Sequence, residues 1–437
     1  MIPKINLQSE TDIITIPSPA LSLLIYNTNS TLPQGEGFYF WNGSSWAKFA
    51  TRTNLSNLTW GVNGNSGTNP TNDFIGTIDN KALVIKTNNI LSGKIDPGPN
   101  NVFWGQNAGL SISSGLNNTF LGHAAGQTDS SGSNNTFLGH NAGNLNSSGH
   151  ENVFLGQEAG RVNTTGSRNV FIGEDAGISN LTGSDNVIIG NGAARLFVGA
   201  GPIVAIGFAA LSSMDNSNES TAIGYKALES STFGVNTAVG HASLQKSTIG
   251  DKNTAFGVST LFDNTSGNQN TAIGYTALFN NTIGYGNSSL GYRSLEYNTS
   301  GNTNTAIGYL AGPPLGNSGL TNTTALGARS EVTTDHTMAF GNTDVTRFAF
   351  GLSTTTGSHV IEVGSNGGDG NGAFLTQGGT WTNTSDMNKK EDFSDLDTEQ
   401  LMKKISELKI QKWRYKETNE YHIGPVAQQF YQLFQLG

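Results

Sequence analysis

Hydrophobic and polar positions recur along most of this chain with one period. From residue 101 the pattern reads NVFWG, NTFLG, NTFLG, NVFLG, NVFIG and NVIIG, and later TAIG, NTAVG, NTAFG and NTAIG. The closing glycines are Gly105, Gly122, Gly139, Gly156, Gly173, Gly190, Gly207 and Gly224, seventeen residues apart. One step of sixteen leads to Gly240, and seventeen resumes through Gly257, Gly274, Gly291 and Gly308. A register held this long predicts a solenoid, whose units bury their apolar sides against one another. A second glycine usually follows ten residues later, as at Gly115, Gly132, Gly149 and Gly166. Two fixed glycines per unit predict two tight turns with φ above zero, joining a short strand to a second short apolar strand. Stacked at about 4.8 Å per coil, the units would extend for roughly 70 Å.

Two positions in the repeat exchange volume. Two residues before the closing glycine, early units carry Phe120, Phe137, Phe154 and Phe171, and later ones Ala205, Ala222, Ala238, Ala255 and Ala272. Four residues after it, the same units carry Gly126, Gly143, Gly160 and Gly177, then Leu211, Leu228, Leu244, Leu261 and Leu278. A large residue at one site accompanies a tiny one at the other, as a shared packing layer requires. The unit of Gly308 departs, pairing Ala306 with Gly312 ahead of Pro313 and Pro314. A large apolar residue also stands directly before the closing glycine, as at Leu121, Leu138 and Ile172. Neighbouring strand residues face opposite ways, so one apolar face is left for a partner chain. At roughly 100 Å² per coil, its burial contributes about 2.5 kcal/mol per coil. The pattern therefore calls for an obligate homo-oligomer.

The flanks use other patterns. Residues 1–58 read as a small β-module, with Asn42-Gly43 as a hairpin turn between the aromatic runs GFYFW and SSWAKF. Residues 59–100 read as a β-rich connector with one clear strand in KALVIKT, 101–345 as the repeat rod, and 346–384 as a β stem. Neither the module nor the connector shows identifiable chemistry. From 385 the grammar changes. DTEQLMKKISELK predicts an amphipathic helix with Asp397 and Gln400 as a capping pair and Leu401, Ile405 and Leu408 on one face. KIQKWRYK alternates like a strand, and HIGPVAQQFYQLF reads as strand, turn and helix, which makes 385–437 a small α+β domain.

Composition narrows the functional classes. Fifty-seven glycines with only 13% charged residues suit turn-rich repetitive β-structure rather than a disordered polyelectrolyte. A net charge of −9 provides no basic stripe for nucleic acid. The absence of cysteine excludes disulfides and thiolate metal sites, and no cofactor is expected. No apolar run is long enough to insert in a membrane, and MIPKINLQSE lacks the layout of an export signal.

Few residues stand out as candidate chemistry. His123, His140 and His241 share the position after the closing glycine with Tyr225, Tyr275, Tyr292 and Tyr309. No carboxylate recurs beside the histidines, so a solvent-facing ladder is expected rather than a metal site. The tyrosines read as half-exposed packing, or else as a strip on which a sugar could stack. GGDGNG at 367–372 reads as a flexible turn rather than a calcium repeat.

Two resemblances add to this reading. The NTAIG-type unit resembles the head repeats of YadA-like trimeric adhesins and of bacteriophage tail fibres, which implies a trimer of left-handed parallel β-rolls over 101–345. SDMNKKEDF, KWRYK and HIGPVAQQF, in that order, resemble the C-terminal intramolecular chaperone of endosialidases and phage tail spikes. Ser385, Asp386, Lys390, Ile423, Gly424, Ala427 and Gln428 match its pattern, whereas Asn388 stands where the family usually has Arg. Such domains usually continue into further helix, which implies a shortened copy ending at Gly437. The resemblance implies that the domain drives trimer assembly and then cuts before Ser385, with Ser385 as nucleophile. Lys390 would be the base and Lys389 the alternative, either one lowered by burial to act when neutral. The expectation is a trimeric surface adhesin or tail-fibre protein, outside the cell or on a virion, contacting a host-surface glycan or protein receptor. A glycan-degrading tail spike and a purely structural spacer are the alternatives. The repeats show no recurring carboxylate pair for the former.

Overall fold

The computed structural model describes residues 2–49, 68–69, 71, 74–199, 201–215, 219–350, 361–363, 373–375, 381–383, 392–414, 416, 419 and 421–435. It divides into two units, Met1–Asn270 and Thr271–Gly437.

The first unit opens with a four-stranded sheet. β1 (Lys4–Ile5) runs parallel to β2 (Leu24–Asn27), which continues antiparallel through β3 (Gly37–Trp41) and β4 (Trp46–Lys48). Asn42-Gly43 makes the turn between β3 and β4, with Gly43 at φ 102°. Leu7, Ile25, Tyr39 and Trp46 form the core. Asp12 ties down the chain before β2. Its carboxylate accepts N–H bonds from Gln8, Ile14 and Thr15 and the Thr15 hydroxyl, and its carbonyl accepts the Trp46 indole N–H at 2.8 Å.

The repeats form a β-solenoid. β5 (Leu83–Thr87) and β6 (Ile90–Asp96) are antiparallel, and β6 pairs antiparallel with β7 (Asn101–Trp104). From there the ladder is parallel. It passes through β8 (Thr119–Leu121), β9 (Thr136–Leu138), β10 (Val153–Leu155), β11 (Val170–Ile172) and β12 (Val187–Ile189). It continues through β13 (Val204–Ile206), β14 (Thr221–Ile223), β15 (Thr237–Val239) and β16 (Thr254–Phe256). The second unit has the same parallel pairing in β17 (Thr271–Ile273), β18 (Ser288–Leu290), β19 (Thr305–Ile307), β20 (Thr324–Leu326) and β21 (Met338–Phe340).

Pairing is in register, so equivalent side chains stack. Phe103, Phe120, Phe137, Phe154 and Phe171 lie inside, with ring centroids 4.7–5.1 Å apart. The glycine four residues after the closing one lies directly against the ring. A Cβ on Gly126, Gly143 or Gly160 would stand 2.5–2.6 Å from Phe120, Phe137 or Phe154. In later coils buried Leu211, Leu228 and Leu244 fill the space that Ala205, Ala222 and Ala238 leave. Ile188 with Ala194, both fully buried, makes an intermediate step between the two classes. At the exception, Leu295 from the preceding coil reaches within 3.1 Å of where a Gly312 Cβ would stand, and takes up the volume.

Two expectations need correction. The second apolar segment is not a strand. After the closing glycine the backbone passes through turns, with positive φ at residues such as Asn141, Glu158, Asp175 and Lys226, and again at Gly143 or Leu228. The second glycine does not generally supply positive φ either, Gly234 at 104° being the exception. A Cβ on Gly115, Gly132, Gly149 or Gly166 would come within 2.1–2.5 Å of the carbonyl oxygen one coil on. Close approach of coils therefore demands those glycines, while the closing glycines need both that approach and φ of 130–142° in coils 105–224.

The asparagine of each repeat has a defined task. Asn118 Nδ2 donates to the Gly132 carbonyl at 2.8 Å, and its Oδ1 accepts the Asn135 backbone N–H at 2.9 Å. Asn135 and Asn152 repeat both bonds, and all three are fully buried. A buried amide thus satisfies backbone groups that the turns leave unpaired.

Beyond the coils, β22 (Phe348–Phe350), β23 (Ile361–Val363), β24 (Ala373–Leu375) and β25 (Trp381–Asn383) form a second four-stranded sheet. The chain then enters α1 (Thr398–Glu407), β26 (Gln411–Trp413), β27 (His422–Gly424) and α2 (Ala427–Phe434). Mainly β structure with two short helices near the end is the architecture that the periodicity implied.

Candidate functional site

Ser385, Asp386, Asn388, Lys389 and Lys390 lie outside the described residues, as does GGDGNG at 367–372. The remaining motifs of the C-terminal domain are placed. Asp397 caps α1, its Oδ1 accepting the Gln400 backbone N–H at 3.1 Å. KIQKWRYK supplies β26, which pairs antiparallel with β27 and brings Trp413 onto His422 at 4.7 Å between rings. Lys412 lies over the Tyr421 ring at 4.4 Å. The box residues Ile423 and Gly424 end β27, and Ala427 and Gln428 open α2, with Val426 as its extended N-cap.

This domain is short of cover in the single chain. Neither helix has a buried residue, and Ile423 is 77% exposed. Pro425, Val426, Ala427, Phe430 and Tyr431 line an open hollow of about 910 Å³. Leu401 and Leu408 are half-buried while Ile405 of the same apolar face is exposed.

The ring ladder is confirmed as a ladder. His123 stacks on His140 at 5.3 Å, Phe208, Tyr225 and His241 stack in series, and so do Tyr275, Tyr292 and Tyr309 at 5.2–5.3 Å. Each inner ring has both faces covered by its neighbours and turns its edge to solvent. A sugar stacks on a ring face, so this geometry argues against the glycan strip. Among the described residues, no group of three His, Asp or Glu could hold a metal ion.

The N-terminal sheet is the part whose role the sequence reading missed. Its one hint was the run IITIP, of which Ile13 and Ile14 are exposed, Ile14 at 88%. Comparison with family models shows what it is similar to. Residues 1–68 match the model described as phage tail like trimerisation region, and residues 385–435 match chaperone of endosialidase. No curated protein and no solved structure matches the chain. Neither family match covers the repeats, so the likeness to adhesin heads rests on the repeat motif alone. A trimerisation region supports assembly of the chain into a homo-oligomer. With an endosialidase-type chaperone and a β-solenoid it fits a trimeric tail-fibre protein, a virion or surface-exposed fibre. No helix among the described residues is long and apolar enough to cross a membrane.

Proposed function

We propose that this chain is the subunit of a homotrimeric tail fibre whose C-terminal domain assists assembly and then releases itself by cutting the Thr384–Ser385 bond. The observation that carries the reading is one of position. The chaperone match begins at Ser385 itself, the residue that the motif order marks as the nucleophile. The reaction needs only groups of this chain and water. Ser385 Oγ attacks the Thr384 carbonyl carbon while neutral Lys390 takes the hydroxyl proton. The Thr384 C–N bond breaks, the acyl group passes to Oγ as an ester, and the freed Ser385 amine takes up a proton. Water then cleaves the ester, leaving a Thr384 carboxylate and restoring the Ser385 hydroxyl. A lysine serves as base only where burial lowers its pKa from about 10.4 toward neutrality. The thin cover over the C-terminal domain supports a site completed by assembly, which would delay cutting until trimers exist.

Mass spectrometry of the expressed full chain tests this. Two fragments meeting at Thr384 and Ser385 are expected, and both Ser385→Ala and Lys390→Ala should leave the chain whole while it still assembles. Lys389→Ala should matter much less. Cleavage should slow as pH falls, because the base must be neutral, and a chelator should have no effect. Cutting that persists in Ser385→Ala would reject the mechanism, and a wild-type trimer that stays whole would reduce the domain to a chaperone. An adhesin role, with a host-surface glycan or protein as receptor, is the natural use of such a fibre, and binding of intact trimers to host cells would test it.

A further inference from the structure

The repeat loosens near its end. From Gly308 to Gly327 the step is nineteen residues against the usual seventeen, and this longer coil carries Pro313-Pro314. Gly312, just ahead of the prolines, bridges in parallel to Glu331 of the next coil. Arg293 and Glu296 from the coil before, the two prolines, and Arg329 and Glu331 from the coil after line a hollow of about 240 Å³. A second hollow of about 490 Å³ shares Arg329 and Glu331 and is bounded by Asn342, Thr343 and Asp344. Both lie within the second unit.

Charged groups here are arranged unlike those elsewhere on the rod. Four of the five arginines in 101–345 are ion-paired, namely Arg161, Arg168, Arg195 and Arg293. Arg329 is the fifth. Its guanidinium lies over the Tyr309 ring at 5.7 Å and makes no ion pair among the described residues. The Glu331 carboxylate, two residues on, also has no ion pair or hydrogen bond among the described residues. Beside them Arg293 and Glu296 hold each other at 2.6 Å. A donor fork and an acceptor thus stand exposed and unused on the same two hollows.

We propose that these hollows bind a neutral sugar unit of a surface polysaccharide. The proposal rests on the fibre reading and adds to it a receptor site and a ligand class. Charge balance decides the class. An anionic ligand would meet Glu296, Glu331 and Asp344, and a cationic one Arg293 and Arg329. A pyranose carries no charge to repel. Its vicinal oxygens accept from the Arg329 fork, and its hydroxyls donate to Glu331. Asn342 and Thr343 add neutral hydrogen-bonding groups, while buried Pro313 and half-buried Pro314 give the apolar wall that a C–H face needs. The first hollow is just below the roughly 300 Å³ at which drug-sized sites begin, which suits a single ring, and the second leaves room for its neighbour.

Saturation-transfer NMR on the full chain tests this with glucose, galactose, mannose and N-acetylglucosamine, and with glucuronate as the anionic counterpart. At least one neutral sugar should make contact, and glucuronate should bind about tenfold more weakly. Arg329→Ala and Glu331→Gln should each weaken contact about tenfold, with the melting temperature unchanged because both side chains are exposed. Arg168→Ala, in another coil, should bind as the wild type does. Contact that survives both Arg329→Ala and Glu331→Gln overturns the site, and tighter binding of glucuronate overturns the neutral ligand. A trimer that contacts none of the sugars overturns the proposal, leaves the fibre standing and turns the search for a receptor to proteins. A wild-type chain that sediments as a monomer overturns the fibre reading, while sugar contact, which needs one chain, still decides the site.

Discussion

Phe137 and Gly143 occupy one packing site. The ring lies so close that a Cβ on the glycine would come within 2.6 Å of it, and the Phe120 and Phe154 rings stack above and below. Gly143 sits at φ 56°, yet Leu228 takes the equivalent place at 53°, so the backbone there accepts leucine.

Phe137→Ala should therefore cost about 3–5 kcal/mol by opening a buried cavity. Gly143→Leu alone should also destabilise, by collision with the ring. The double variant should recover a large part of both losses. A thermal or denaturant double-mutant cycle measures this, and additive losses would show that the two positions vary independently.

Asn152 joins two successive coils through its side-chain amide. Replacing it with Ala leaves the Asn169 N–H buried and unpaired and the Gly166 carbonyl with the Asn163 amide as donor, at a cost of about 1–3 kcal/mol. Asn152→Ser should recover part of that. Ser220 does the same work in its own coil, donating to the Gly234 carbonyl at 2.8 Å and accepting the Asn236 N–H at 3.3 Å. Equal losses in the two variants would contradict the assignment.

Asp129 is the acid in a column of buried amides, where Asn146, Asn163 and Asn180 hold the same place. Burial pushes its carboxyl up to about 6, against the opposing bonds from Asn146, Gly132 and Asn135. Its folded pKa lies above the unfolded one, so the unfolded chain gives up the proton first. Stability is thus lost as pH rises from about 4 to about 6, by an amount on the order of 2–3 kcal/mol. Asp129→Asn should raise the melting temperature at pH 7 and leave it nearly unchanged at pH 4. An equal effect at both values would show that the carboxyl does not titrate there.

Asp12 runs the opposite way. Burial acts to raise its carboxyl, but the bonds from Gln8, Thr15 and Ile14 outweigh this and hold it down at about 2. Its contribution is present above the unfolded value near 4 and lost as pH falls toward 2. Hydrogen exchange in peptides covering residues 7–27 should rise between pH 4 and 2. Asp12→Ala should bring high exchange at neutral pH as well. Protection that persists unchanged in that variant would remove Asp12 from its structural role.

The period, the inward column and its volume exchange could be read directly because residues seventeen apart must share one site. The turn run could not. Its left-handed positions hold Asn141, Glu158, Asp175, Lys226 and Arg293, residues with no common chemistry beyond an exposed or half-buried place. The second glycines misled for a related reason, since a glycine demanded by close approach looks the same in sequence as one demanded by φ. At the candidate site, the order of short motifs was enough to single out the resemblance to the C-terminal chaperone, whereas Ser385 itself lies outside the described residues. The N-terminal trimerisation region was not legible, because Tyr39, Trp41 and Trp46 fill an ordinary small β core.

The closing glycines make the coils interchangeable in a further sense. From Gly122 to Gly156 each coil offers the next the same carbonyl at the same distance, the same phenylalanine ring and the same asparagine amide. Each finished turn is thus a template for its successor, as a crystal face is for the next layer. Loss or duplication of one seventeen-residue unit within this stretch would leave those three contacts unchanged at every junction. The same event across Ile188 would set unlike layers against each other, so change in length is confined to the blocks on either side of it.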